Sequence, residues 1–164
     1  MTVAIQKLRV SPKHLLHSLK THIYNRQKAL PLKKSGVRGA LIELAAYLNV
    51  DAQEIGIYFV SEKAIGELHD QFFQDPTPTD CISFPIDKTH LGEIFVCPAV
   101  ALAYAKKKKL DPYQETLLYL VHGFLHLIGF DDLKETERKA MRKMEKKCMG
   151  HLMMRGISLD PISP

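Results

Sequence analysis

Tryptophan is missing from the 164 residues, and aromatic side chains make up only 8% of them. Cysteine is scarce as well. Cys81, Cys97 and Cys148 form an odd set without a Cys-x-x-Cys pair, which excludes a disulfide framework and suits free thiols in a reducing cytoplasm. Long apolar runs are also lacking. The stretch Thr116–Phe130 has no Asp, Glu, Lys or Arg, but its 15 residues include two histidines and are too few for a membrane span. The opening MTVAIQKLRV has no apolar signal core, so secretion is not expected. Acidic residues are absent before Glu43.

That last absence makes the charge lopsided. Nine of the 23 bases precede Glu43, leaving 14 bases against 18 acids in the rest of the chain. A basic leading segment on a mildly acidic body fits contact with a polyanion such as RNA, and Lys33 and Lys34 are candidate substrate-binding residues within it. A solvated arm is the alternative reading of the same charges. With 46% hydrophobic and 25% charged residues, the composition is that of one ordinary globular domain.

Hydrophobic periodicity orders the chain into alternating elements. Leu15, Leu16 and Leu19 make a weak helical face after Pro12. A short strand is expected over Thr21–Arg26, a loop over Pro31–Gly36, and a helix over Val37–Leu48. EIGIYFV at 54–60 alternates as a strand, and Ser61 can cap the helix that follows. DPTPT at 75–79 must be a loop, after which CISFPI and GEIFVC read as neighbouring strands. Pro98 opens a helix ending in Lys106–Lys109, where the four lysines either steer phosphates or simply complement the helix dipole, the latter being the favoured reading. Asp111-Pro112 starts a helix that is apolar nearly all round to Ile128 and should therefore be central. A last helix spans about Lys134–Met149, with its methionines as core filling, and 157–164 reads as a loose tail. The expected architecture is a single α+β domain: a small mixed sheet with about five helices around the central one.

The central helix carries His122 and His126, whose four-residue spacing sends both imidazoles off one face. Such a pair either grips a metal or is a hydrogen-bonded core pair. Gly129 can turn the chain so that Asp132 returns a carboxylate to the same ion, though a helix cap would explain that aspartate too. Two imidazoles and a carboxylate leave a position open for water, the pattern of a catalytic site. A zinc peptidase of the HExxH kind is excluded, because Gly123 stands where its general-base Glu belongs.

HGFLHLIGFDD at 122–132 resembles the HGxLHLxGYDH signature of the YbeY family, metal-dependent endoribonucleases of ribosomal RNA maturation. TPTDCISFP at 77–85 resembles the family's PTDVLSFP, and LGEIFVC at 91–97 its LGDIVIC strand. The closing helix with MEKKCM is similar too, so the likeness covers roughly 20–155 and leaves 1–19 as a basic extension. It implies a cytoplasmic metallohydrolase domain over 20–156 that cuts single-stranded ribosomal RNA beside the small ribosomal subunit and its assembly factors. One divalent ion, zinc first, would sit on His122, His126 and Asp132, with Thr79, Asp80 and Ser83 lining the cleft.

Two positions depart from the pattern. Asp132 replaces a third histidine and makes Mn²⁺ or Fe²⁺ more plausible. Phe73 stands where the family has an arginine, and Phe cannot hold a phosphate through two parallel hydrogen bonds. The general base stays unassigned. Glu93 matches a family Asp and reads as a surface or strand-edge residue. The rival reading is an RNA-binding ribosome-assembly factor whose nuclease activity is weak or lost and whose metal is mainly structural.

Overall fold

Asp111 fixes the start of the central helix: its carboxylate accepts from the backbone N–H of Tyr113 at 2.7 Å, and Pro112 follows at the first helical position. The helix so begun, α4 (Pro112–Leu127), buries Leu117, Leu120, Val121, Phe124 and Leu125 against a sheet. In the computed structural model, which describes residues 19–162, the preceding elements are β1 (Lys20–Asn25), α1 (Lys34–Tyr47), β2 (Glu54–Phe59), α2 (Glu62–Phe73), β3 (Cys81–Pro85), β4 (His90–Val96) and α3 (Pro98–Lys108). One helix follows α4, namely α5 (Glu135–Met154). The sheet order is β1-β2-β4-β3, with β1, β2 and β4 parallel and β3 antiparallel to β4. This is the expected α+β domain with a mixed sheet and five helices. The helix expected before Leu19 lies outside the described residues.

The two sheet faces divide by the period of two. On one face Ile55, Ile57, Ile94 and Val96 are buried in the main core that α4 completes. The other face carries Tyr24, Tyr58 and Phe95 from three adjacent strands, stacked at 4.8 and 4.7 Å. The helix α2 covers the far end of that face, setting Ile65 among Val60, Ile82 and Cys97 and resting Phe72 on Phe84 at 4.8 Å. Ser61 caps α2 as expected, accepting from the Ala64 N–H at 3.2 Å.

Four expectations are corrected. The helix α1 begins at Lys34 inside the expected loop. The last helix runs on to Met154, and Met153 and Met154 are mostly exposed while Met141 is buried, so the methionine filling stops short of the helix end. Glu93 lies on an interior strand, because β4 sits between β2 and β3, and its carboxylate accepts from the Tyr58 hydroxyl at 3.4 Å. The described part of the segment after α5 is anchored at Leu159, which is fully buried and whose carbonyl accepts from the Lys33 N–H at 2.8 Å. That residue's burial in the main core is what its alternating neighbours Ser158 and Asp160 conceal in the sequence.

Candidate metal centre

His122 and His126 leave α4 from its last two turns, on the face that also carries Glu115 and Tyr119. Their position over the sheet is set by Gly123. A Cβ there would come within 2.5 Å of Ile94 Cγ2, so only glycine lets α4 lie this close to β4. Ser83 of β3 donates its hydroxyl to the Gly123 carbonyl at 3.0 Å and fixes the helix from below. Past the helix end, Gly129 takes φ +101°, a backbone region that side chains disfavour, and Phe130 N–H returns to the Leu125 carbonyl at 3.0 Å.

The turn brings Asp132 back. Its carboxylate oxygens lie 3.6 Å from His122 Nε2 and 3.8 Å from His126 Nε2, and the two imidazole nitrogens are 3.0 Å apart. Two nitrogens bound at about 2.05 Å to a tetrahedral ion stand roughly 3.3 Å apart, so the donor set has the right span for one metal. All three donors fall within 4.8 Å of one another. Neither Asp131 nor Asp132 caps α5. Lys134 occupies the cap position, its N–H bonded to Glu137 at 3.0 Å, while Asp131 accepts from the Asp132 N–H at 2.8 Å. The Arg138 guanidinium braces the loop by donating to the carbonyls of Asp132 and Leu133 at 3.3 and 2.8 Å.

One partner was not anticipated. Glu145 of α5 binds His122 Nδ1 at 2.5 Å, which leaves Nε2 to face the other donors. Its signal in the sequence is a carboxylate on the apolar stripe Met141, Cys148, Leu152, where a charge needs a buried partner. Burial works against the charged form of His122. The Glu145 hydrogen bond and charge outweigh it, helped by Asp80 and Asp132, and the imidazole is held above its usual range.

A cavity of about 410 Å³ opens beside the histidines, between α3, α4 and α5. Asp80, Glu115, His122, Asp132, Arg138 and Arg142 are on its wall. Burial foremost lifts the Glu115 carboxyl above its usual range, against the hydrogen bond from Tyr119. A depression of similar volume between α2 and the 76–78 loop carries three acids and a lysine but no imidazole. The remaining candidates scatter. Asp80 reaches the cavity and accepts from the Cys81 N–H at 2.7 Å, whereas Thr79 donates to Asp80 at 3.0 Å and Ser83 is spent on Gly123. Lys33 and Lys34 sit at the start of α1 and Phe73 at the exposed end of α2, none of them on the cavity wall. Cys81 lies within 4.8 Å of Asp80 and His122, but burial and then Asp80, Asp132 and Glu145 hold its thiol well above the usual range. A protonated thiol is a poor ligand.

Fold and site together define a single-domain α+β protein with a candidate metal centre of the open type, three protein donors beside a polar cavity. Its relatives narrow the class. The profile of the Endoribonuclease YbeY family matches residues 22–153, and the chain belongs to that family. An Endoribonuclease YbeY of Protochlamydia amoebophila is 46% identical over 134 residues, 78% of this chain and 89% of that protein. The one from Chlamydia pneumoniae is 37% identical over 141 residues, 80% of this chain and 89% of that one. The solution structure of a Thermotoga maritima protein superposes with a TM-score of 0.60 at 25% identity, covering 82% of this chain and 90% of that one.

Proposed function

We propose that this chain is a metal-dependent endoribonuclease that cuts single-stranded ribosomal RNA during maturation of the small ribosomal subunit, in the cytoplasm and alongside assembly factors. The observation that carries the reading is the convergence of His122, His126 and Asp132 within 4.8 Å of one another, with His122 and Asp132 also lining a polar cavity. The names of the relatives support the reaction class. Zinc fits the two imidazoles, and the Asp132 oxygens also suit the harder Mn²⁺ or Fe²⁺.

The two histidines and Asp132 would hold the ion, which when bound supplies a Lewis acid and an acidified water for attack on a phosphodiester. Glu145 keeps His122 in the tautomer whose Nε2 is free to ligate. Asp80, within 4.8 Å of His122 and on the cavity wall, is the carboxylate that would take a proton from the attacking water. A second reading, an RNA-binding assembly factor with a mainly structural metal, draws on Phe73, an exposed phenyl ring where the family resemblance puts an arginine.

Metal analysis of the purified protein, joined to a cleavage assay on single-stranded and duplex RNA, decides between them. Wild type should hold a divalent ion and cut the single strand, and His126→Ala should lose most of the metal together with the rise in melting temperature that metal gives. If zinc and manganese leave the wild-type melting temperature unchanged, the site is wrong. Protein that loads metal yet cuts nothing is the assembly factor.

A further inference from the structure

We infer that Arg142 of α5 is the phosphate-holding residue of this site, because it lines the cavity that also holds His122 and Asp132 and has no hydrogen bond or ion pair among the described residues. The inference takes its ligand, an RNA backbone, from the nuclease reading above.

Charge around the cavity shows the need. Four acidic residues, Asp80, Glu115, Asp132 and Glu145, line the cavity against two basic ones, Arg138 and Arg142. A divalent ion on the triad would bring this wall only to about neutral. A phosphodiester that enters therefore depends on each arginine for its attraction.

The two arginines are one turn apart on α5 but are used differently. Arg138 is committed to the Asp132 and Leu133 carbonyls and holds the ligand loop. Arg142 makes no hydrogen bond or ion pair among the described residues, so its planar fork of donors is available for two parallel bonds to a phosphate. Its helix neighbours do not pair with it. At four residues on either side stand Arg138 and Lys146, which repel it, and Lys139 three residues before is paired with Glu135 at 2.9 Å. Glu145, three residues after, is bonded to His122. Arg142 is exposed at the cavity with like charges one turn away on either side, a position that an anionic ligand would stabilise.

The test is binding of a single-stranded oligoribonucleotide at a series of salt concentrations, with inorganic phosphate as a second probe. Metal content and melting temperature serve as controls for wild type, Arg142→Ala and Arg142→Lys. Arg142→Ala should keep its metal and its melting temperature. It should bind the RNA about 10-fold more weakly, with a slope of log affinity against log salt flatter by about 0.7, one single-strand phosphate contact. Arg142→Lys keeps the charge and should restore the slope, while cleavage stays about 10²-fold down, as for loss of one oriented donor. An unchanged slope in Arg142→Ala overturns the inference, as does loss of metal from that variant, which would make Arg142 a support of the ligand loop. Phosphate binding as tight as RNA binding, and equally lost in Arg142→Ala, also overturns it in favour of a small phosphate ligand. A wild type that cuts nothing sinks the nuclease reading alone, since the salt slope still judges Arg142.

Discussion

Glu145 and His122 are joined at 2.5 Å across 23 positions of sequence, carboxylate to Nδ1, at the contact of α4 with α5. The bond makes the site a property of two helices. An imidazole that donates from Nδ1 presents a bare Nε2, and the negative charge behind it raises the basicity of that nitrogen.

Removing that charge should therefore weaken the metal and leave the fold standing. For Glu145→Gln the expected loss of metal affinity is about 10–100-fold, read by competition with a chromophoric chelator. Affinity equal to wild type would mean that the carboxylate does not set the orientation of His122.

The close approach at Gly123 gives a second expectation. An alanine Cβ at 2.5 Å from Ile94 Cγ2 and 3.1 Å from Ser83 Oγ forces α4 off the sheet. Gly123→Ala should cost about 1–3 kcal/mol, the range for overpacking a tight core, and lower the melting temperature by about 2–4 °C for each of them. Metal should bind more weakly as well, since both histidines ride on the displaced turn. A variant that melts with wild type would show that the helix has room to spare.

Acid stability follows from Glu43. Arg155, just past the end of α5, and His151 within it both bond its carboxylate at 3.1 Å, and these bonds, Arg155 first, hold it below its ordinary 4.5. A carboxyl with a lowered folded-state pKa contributes stability above its unfolded value and loses it as pH falls through the folded value. Wild type should thus exceed Glu43→Gln in urea midpoint at neutral pH, and the gap should close from about pH 4.5 downward. A gap independent of pH down to full acid unfolding would exclude the ion pair as its source.

Much of the fold is legible in the sequence, because periodicity and caps act locally. Asp111, Pro112 and Gly129 bound α4, and the spacing of His122 and His126 needs only a helix to become a pair. Asp132 is legible for the same reason, one turn beyond a glycine. Glu145, Arg138 and Arg142 are not, because their role depends on which face of α5 meets α4, and the alternation of charge along that helix obscures its phase. The burial of Leu159 is hidden too, since a lone apolar residue in a polar segment gains its partners only from tertiary packing. Lys33 and Lys34 show the converse limit: net charge indicates that a polyanion is attractive, not where it lies.

The bond from Lys33 to Leu159 also has a meaning in time. A chain is made from its N-terminus, and α1 leaves the ribosome long before residue 159 exists. Until then the first turn of α1 lacks both that carbonyl and the Leu159 side chain, while β1, β2 and β4 have all been made. The order of synthesis makes the seam between Lys33 and Leu159 a late contact for α1, one that joins the early part of the domain to the last-made part.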